Sequence, residues 1–313
     1  MKNPVVRVII SVLFAALICQ GAWWFLKPCF DRYHTHINGK LTELFLNDTR
    51  HDILFIGSSK THSNIHPGVI DSICSVNSFN AGLDGISLFE YKMILEAYLL
   101  RHPAPKMVVL SFDLHSFNGK SEFYDPVQYL PFVKNKVIDT TLSNNGHPTT
   151  IFRIFPFLAL TKYSDDQKLV EVIKSMLGKN DIALGDFEYK GYLSNSDSVL
   201  SNPDFPIQAQ NTTPNGLAFF KDIIATCQEK SIQLVVIYPP EFEARIVRLT
   251  PNASAILSTI HQISEANNIS FFRHDSLQLR NDVTNFRNTG HLNKKGAVVY
   301  SQILATQLKE LIH

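Results

Sequence analysis

The sequence predicts an α/β fold in which helices cover both faces of a parallel sheet. Four apolar runs and one weaker segment have the length of buried strands: Ile53–Ile56, Ser75–Phe79 (the weaker one), Met107–Phe112, Gln233–Tyr238 and Ile269–Arg273. Segments with apolar residues at helical spacing alternate with them: Ser87–Arg101, Pro214–Lys230, Ala253–Asn267 and a last helix from Lys295 to about Leu311. Because strands that are apolar throughout are buried on both faces, this alternation predicts a parallel sheet between two layers of helices.

The N-terminal residues 1–30 predict a membrane anchor. The run from Val8 to Leu26 is almost entirely apolar, and a helix of that length, rising about 1.5 Å per residue, spans the hydrocarbon core of roughly 30 Å. Trp23 and Trp24 fit the aromatic belt at a membrane interface. We therefore predict an uncleaved signal anchor in a bacterial inner (cytoplasmic) membrane, with the large domain that follows it periplasmic or extracellular. The alternative is a signal peptide whose cleavage releases a soluble protein that lacks the residues before about Cys29.

The predicted domain organisation has three parts. Residues 1–30 are the anchor, 31–50 a linker with one short helix, and 51–313 a single α/β domain. This domain is interrupted at about 115–210 by an irregular segment rich in aromatic residues, proline and asparagine, with candidate helices at Thr149–Tyr163 and Gln167–Leu177. Because so long a structureless loop is uncommon in a compact domain, we expect an inserted subdomain or a lid over the site.

The composition excludes several classes of function. Only 18% of residues are charged and the net charge is +1, so no basic surface for nucleic acid is predicted. The chain has no phosphate loop, no dinucleotide-binding glycine pattern and no histidine–carboxylate cluster, and we predict neither a metal nor a cofactor. Cys74 and Cys227 either form a disulfide or are buried thiols.

Two segments more than two hundred residues apart carry the residues of a nucleophilic site. Asp52–Ser59, with the letters DILFIGSS, is a strand followed by a turn that presents serine at the carboxyl edge of the sheet. Ser59 is either a nucleophile or the N-cap of a helix, and Ser58 has the same chemistry, so spacing alone does not choose between them. The pattern indicates a hydrolase or an acyltransferase.

The second segment, Asn288–Ala297, supplies a base. Its letters are NTGHLNKKGA, and they predict that His291 lies on a polar loop just before the last helix. A serine nucleophile needs a base, and the base needs an acceptor on its other ring nitrogen. Asn288 is the nearest candidate for this acceptor, with Asp282 and Asp275 further upstream.

Further polar residues follow the predicted strands at the same edge of the sheet. The turn Asn80–Gly85 can present backbone N–H groups to an oxyanion, although its residues are also those of an ordinary turn. Five side chains are candidates for contact with a substrate: Ser58, His62, Asp113, His115 and Glu241. Each of them has a structural alternative, as a cap, a core residue or a strand end.

Three segments together resemble sequence blocks of the SGNH (GDSL-like) hydrolase superfamily. FIGSS at Phe55–Ser59 resembles the first block, in which a Gly-Asp-Ser turn carries the nucleophile; NAGLDG at Asn80–Gly85 resembles the second; HLNKKGA at His291–Ala297 resembles the fifth. The resemblance implies a three-layer, flavodoxin-like sheet and a carboxylic-ester hydrolase or O-acyltransferase. Ser59 would be its nucleophile, His291 its base, and the N–H groups of Gly85 and Ser59 its oxyanion hole.

Two positions depart from this pattern. Asp113 occupies the place of the asparagine that contributes to the oxyanion hole, where an ionised carboxylate would repel the oxyanion. Asn288 occupies the place of the aspartate that orients the histidine, and it stabilises an imidazolium less strongly. These departures favour the alternative of a non-catalytic, SGNH-like protein that binds a glycan or a membrane-bound O-acyltransferase.

Within the superfamily, the anchor and the letters GSSKTH, NAGLDG and HLNKKGA resemble the DltD-like branch. Members of this branch move acyl groups to or from cell-envelope polymers beside membrane-bound O-acyltransferases. The resemblance implies that the chain acts on acyl esters of an envelope polysaccharide, with an acylated glycan or polymer and a membrane-bound O-acyltransferase as partners.

Overall fold

A computed structural model describes residues 3–32, 37–158, 190–195, 199, 210–243 and 252–312. In chain order the helices are α1 (Pro4–Arg32), α2 (Ile37–Phe45), α3 (Ser59–Asn64), α4 (Pro67–Cys74), α5 (Leu88–Leu99), α6 (Lys136–Asn144), α7 (Thr150–Ile154), α8 (Pro214–Glu229), α9 (Ala253–Ala266) and α10 (Lys294–Lys309). The strands are β1 (Ile53–Gly57), β2 (Ser78–Asn80), β3 (Met107–Ser111), β4 (Gln233–Tyr238), β5 (Ser270–Arg273), β6 (Phe286–Asn288) and β7 (His291–Leu292).

The chain divides into two compact units. One consists of residues 1–46 and 125–183, and the other of residues 47–124 and 184–313. The division into an anchor, a linker and one interrupted α/β domain stays a prediction.

The first unit contains the N-terminal helix. Within α1, the stretch Pro4–Phe25 is long and apolar enough to cross a membrane, and a signal sequence would have the same properties. Helix α2 packs on the 3₁₀ turn Pro126–Phe132, where the rings of Phe45 and Phe132 meet edge to face with centroids 5.6 Å apart. The helix predicted over Thr149–Tyr163 ends at Ile154 and does not continue through residues 155–158, because Pro156 disfavours a helical conformation of the residue before it; residues 159–163 lie outside the described part of the chain. The helix predicted at Gln167–Leu177 lies outside the described residues.

The second unit is built on a five-stranded parallel sheet of order β2-β1-β3-β4-β5. This order is the flavodoxin-like one, and it confirms the α/β architecture predicted from the alternation of apolar strands and helices. The register places Ile53 beside both Ser78 and Met107, so β1 lies in the interior of the sheet. Since the strands are parallel, the polar residues that follow β1, β3 and β4 reach the same edge.

The core lies on both faces of this sheet. Helices α4 and α10 cover one face and pack against alternate residues of the strands, among them Phe55, Val109 and Ile237. Helices α5 and α8 pack against each other and against β1 and β4 respectively, and the side chains of Leu54 and Val108 point to that face by alternation. Burial of both faces explains why these strands have no polar alternation.

Two local features differ from the sequence expectation, and a third decides between two alternatives that the sequence left open. Strand β2 is Ser78–Asn80 rather than Ser75–Phe79, because Ser75 ends α4 in a left-handed conformation with φ of 56°. The segment around His291, predicted as a loop, forms a short antiparallel hairpin of β6 and β7. Cys74 and Cys227 are both buried free thiols, so they do not pair with each other, and burial raises the pKa of Cys227 to about 12.

Candidate active site

Ser59 begins helix α3 directly after β1. Gly57 permits this tight turn, because a Cβ atom there would lie 2.0 Å from Thr61 Oγ1 and 2.3 Å from the Ser111 carbonyl oxygen. Ser58 is the N-cap, and its hydroxyl accepts a hydrogen bond from the Lys60 N–H at 3.3 Å. Ser58 is buried, whereas Ser59 is partly exposed and lines a pocket. The two serines therefore have different places: Ser58 caps the helix and Ser59 faces the pocket.

His291 contacts Ser59 across the pocket. Its Nε2 atom lies 2.8 Å from Ser59 Oγ, and its Nδ1 atom lies 2.9 Å from Asn288 Oδ1. The β6–β7 hairpin sets this geometry, since Asn288 ends β6 and His291 begins β7. Asn288 and His291 are both partly exposed, so the histidine ring has the accessibility that a base needs to reach a substrate.

The hydrogen bonds of Asn288 determine the tautomer of His291. Asn288 Oδ1 accepts from the backbone N–H groups of Gly290 and His291, each at 2.9 Å, so its carbonyl oxygen and not its amide nitrogen faces this turn. The same oxygen requires a donor at His291 Nδ1. The lone pair of the neutral ring then lies on Nε2, directed at the Ser59 hydroxyl, which is the arrangement that a general base needs.

The carboxyl edge of the sheet also carries a cluster of charged side chains beside Ser59. The ammonium group of Lys60 forms ion pairs with Asp113, which follows β3, and with Glu241, which follows β4. The Ser58 hydroxyl donates a hydrogen bond to the second oxygen of Asp113. These groups are nearly inaccessible: Lys60 is 5% exposed, Asp113 1% and Glu241 3%. Isolated charges would be unstable at this depth, so their mutual pairing is what permits them.

The charge state of Asp113 follows from its partners. Burial by itself raises the pKa of this carboxyl, but the Lys60 ammonium, with smaller contributions from His115 and the Ser58 hydroxyl, outweighs burial. The resulting pKa lies well below the ordinary range of aspartate, so Asp113 is an ionised member of the cluster.

The pocket has a volume of about 210 Å³. The residues that line it belong to the β1–α3 turn, the segment that follows β3 and the β6–β7 hairpin: Ser59, Lys60, Asp113, His115, Asn288, Thr289, Gly290 and His291. Ser59, His291 and Asn288, singled out from the sequence, thus meet in one pocket with His115. Within the described part of the chain, no group of three or more histidine, cysteine or carboxylate side chains is arranged to hold a metal.

The other sequence candidates lie elsewhere or have internal partners. His62 is buried, and its Nδ1 atom lies 3.1 Å from Asp84 Oδ1. Gly85 lies outside the residues that line the pocket, and its φ of +73° together with the Tyr124 ring leaves no room for a side chain. Asp275 pairs with Arg273, and Asp282 caps its own turn at Thr284, so Asn288 is the candidate that contacts His291.

Sequence reasoning missed Lys60. Its signal was present, as a lysine that directly follows the turn serine, but lysine is usually solvated at such a position. Its carboxylate partners follow two other strands, and only the parallel sheet brings them together.

Among known proteins, the chain is similar to solved structures only. No protein-family model and no curated protein matches the chain. A structure described as a lipolytic protein of the G-D-S-L family from Desulfitobacterium hafniense is 9% identical, with a TM-score of 0.42 over 81% of this chain and 97% of that one.

Two further structures are similar to a comparable extent. The acetyl xylan esterase AlAXEase is 12% identical, with a TM-score of 0.40 over 83% of this chain and 99% of that one. A structure described as an acylhydrolase from Bacteroides fragilis is 10% identical, with a TM-score of 0.40 over 90% of this chain and 98% of that one.

Proposed function

We propose that this chain is a membrane-anchored, extracytoplasmic SGNH-type esterase or O-acyltransferase. The observation that supports this proposal is the alignment of Asn288 Oδ1, the His291 ring and Ser59 Oγ, with contacts of 2.9 Å and 2.8 Å. A serine beside the unprotonated nitrogen of an oriented imidazole is the arrangement that activates a hydroxyl for attack on an acyl group.

The reaction proceeds through an acyl-serine. Ser59 Oγ attacks the carbonyl carbon of an acyl ester while its proton moves to His291 Nε2. Collapse of the tetrahedral intermediate breaks the ester bond, and the departing alcohol takes the proton from His291. Water or a sugar hydroxyl then attacks the acyl-serine by the same route in reverse, which gives hydrolysis in one case and acyl transfer in the other.

Backbone N–H groups stabilise the oxyanion in this mechanism. Ser59 is the first residue of α3, and its N–H belongs to the first turn, where no carbonyl of the same helix can accept it. The resemblance of the NAGLDG turn to the second sequence block implies a second donor at Gly85, but Gly85 lies outside the residues that line the pocket, so the Ser59 N–H is the donor that the site supports. Each such donor contributes roughly 10²- to 10³-fold in rate.

The proposed substrate is an acyl ester of a cell-envelope polysaccharide, with a membrane-bound O-acyltransferase as the partner that supplies or receives the acyl group. The apolar N-terminal helix supports a location at the membrane. A pocket of about 210 Å³ suits a short acyl chain, with the polymer outside it.

The test is labelling of the full-length protein in detergent with a fluorophosphonate, followed by identification of the labelled peptide. Wild type should be labelled at Ser59, and Ser59→Ala and His291→Ala should abolish or strongly reduce labelling. Ser254→Ala and His261→Ala, at exposed positions of α9, are matched controls that should label like wild type. A folded wild type that does not react would favour the alternative of a non-catalytic binding protein. The presence of Asn288, where the related families have aspartate, also points to that alternative.

A further inference from the structure

We propose that Asp113 is a positioning residue that holds both sequence neighbours of Ser59 and so directs the Ser59 hydroxyl at His291. This inference rests on the proposed function, in which Ser59 is the nucleophile. It assigns Asp113 a role other than that of a substrate contact or an altered oxyanion-hole residue.

The contacts of Asp113 reach residues on either side of Ser59. One carboxylate oxygen accepts the Ser58 hydroxyl and the other pairs with the Lys60 ammonium. Ser58 also caps α3, so the first turn of this helix is connected to the end of β3 at two points. Ser59 lies between those two points, and its rotation about the turn is limited by both of them.

Lys60 extends the same connection to a third strand. Its ammonium also pairs with Glu241, which follows β4. The next residue, Phe242, donates its backbone N–H to the Thr289 carbonyl at 3.0 Å, within the turn that carries His291. Asp113, Lys60 and Glu241 therefore form a continuous path from the nucleophile turn to the base turn. Because all three side chains are buried, water competes weakly with these contacts.

The negative charge of Asp113 is required for positioning Ser59, but it would be harmful if Asp113 contributed to the oxyanion hole. An ionised carboxylate pairs with Lys60, whereas the same charge would repel a developing oxyanion. The substitution Asp113→Asn consequently separates the two roles by the sign of its effect. It removes the ion pair while leaving an oxygen for Ser58, and it restores the amide that an oxyanion hole would use.

The experiment compares wild type, Asp113→Asn and the matched control Asp222→Asn, which alters a pair with Lys92 on the exposed surface. Fluorophosphonate labelling is measured over a range of probe concentrations to separate affinity from the rate constant of bond formation. For Asp113→Asn we expect a fall of about 10- to 100-fold in the rate constant with little change in affinity, since small misplacements of a reacting group cost up to about that much. Asp222→Asn should behave as wild type, and faster labelling of Asp113→Asn would overturn the inference.

A second measurement does not depend on catalysis. The ¹⁵N resonance of His291 Nε2 reports whether the Ser59 hydroxyl donates to it. It should shift in Asp113→Asn and in Ser58→Ala, which removes one of the two contacts, and not in Asp222→Asn. If wild type is not labelled but these shifts occur, the proposed function fails and the positioning role stands. If the His291 resonance is the same in all four folded proteins, the positioning role is overturned.

Discussion

At the scale of single residues, the site depends on an asparagine that accepts three hydrogen bonds. Asn288 Oδ1 receives the N–H groups of Gly290 and His291 and the ring N–H of His291. The two backbone donors fix the orientation of the amide, so a neutral side chain is sufficient to hold His291 in the tautomer that leaves Nε2 as the acceptor. Asparagine does not supply the negative charge that would stabilise the imidazolium formed during the reaction.

The substitution Asn288→Asp should therefore change the pH profile as well as the rate. A carboxylate beside Nδ1 stabilises imidazolium, so the pKa of His291 should rise in this variant. Since only neutral His291 acts as the base, the acid limb of the labelling rate should move to higher pH by the same amount, while the plateau above it rises.

The measurement is the second-order rate of fluorophosphonate labelling between pH 4 and pH 9, with His261→Ala as a control outside the pocket. Asn288→Ala, which removes the acceptor altogether, should lower the plateau. An acid limb that does not move in Asn288→Asp would show that Asn288 does not act on His291.

At the scale of elements, the site depends on the contact between α3 and the β6–β7 hairpin. Asn64, the last residue of α3, accepts the backbone N–H of Leu292 at 3.0 Å. Ser59 begins the same helix and His291 begins the same strand as Leu292, so this bond holds the nucleophile-bearing and base-bearing elements together. Packing of the Phe242 and Phe286 rings, with centroids 5.6 Å apart, supports the hairpin from the β4 side.

We expect Asn64→Ala to weaken this contact. The buried N–H of Leu292 would lose its acceptor, which lowers the free energy of unfolding by about 1–3 kcal/mol. The labelling rate should fall as well, because α3 and β7 would no longer hold Ser59 Oγ in contact with His291 Nε2.

Urea unfolding and labelling kinetics measure the two effects. Asn267→Ala, which removes a local bond at the end of α9, is the matched control and should leave labelling unchanged. If Asn64→Ala lowers stability but labels at the wild-type rate, the contact stabilises the fold without setting the site geometry.

At the scale of the whole molecule, every described residue that lines the pocket belongs to one compact unit, residues 47–124 with 184–313. The N-terminal helix belongs to the other unit. The catalytic proposal therefore depends on the α/β unit alone, and the cellular location depends on whether α1 is retained.

We predict that the full-length chain fractionates with membranes and resists extraction by alkaline carbonate, because an uncleaved helix of this length and composition spans the bilayer. Removal of residues 1–30 should yield a soluble protein that still labels at Ser59. N-terminal sequencing of the native protein is the control for processing. A mature protein that is soluble and lacks the residues before about Cys29 would contradict the anchor and favour a secreted esterase.

The sequence by itself determined the order and type of the sheet-forming elements, since apolar strands and amphipathic helices leave periodic signals along the chain. It also singled out His291, Asn288 and the pair Ser58 and Ser59 as candidates, because a turn after a strand and a polar segment before the last helix are local patterns. The sequence did not predict the short helices α3 and α4 or the β6–β7 hairpin, because caps and turns a few residues long override weak propensities.

Only the tertiary structure decided which of the two serines faces the pocket and which partners the charged residues have. Ser58 and Ser59 are chemically alike, and their difference comes from the direction in which α3 leaves β1. Lys60, Asp113 and Glu241 follow three strands far apart in the chain, and parallel pairing brings their ends to one edge. The physical reason is that a charge pair across a sheet depends on register and burial, and neither leaves a local signal in the sequence.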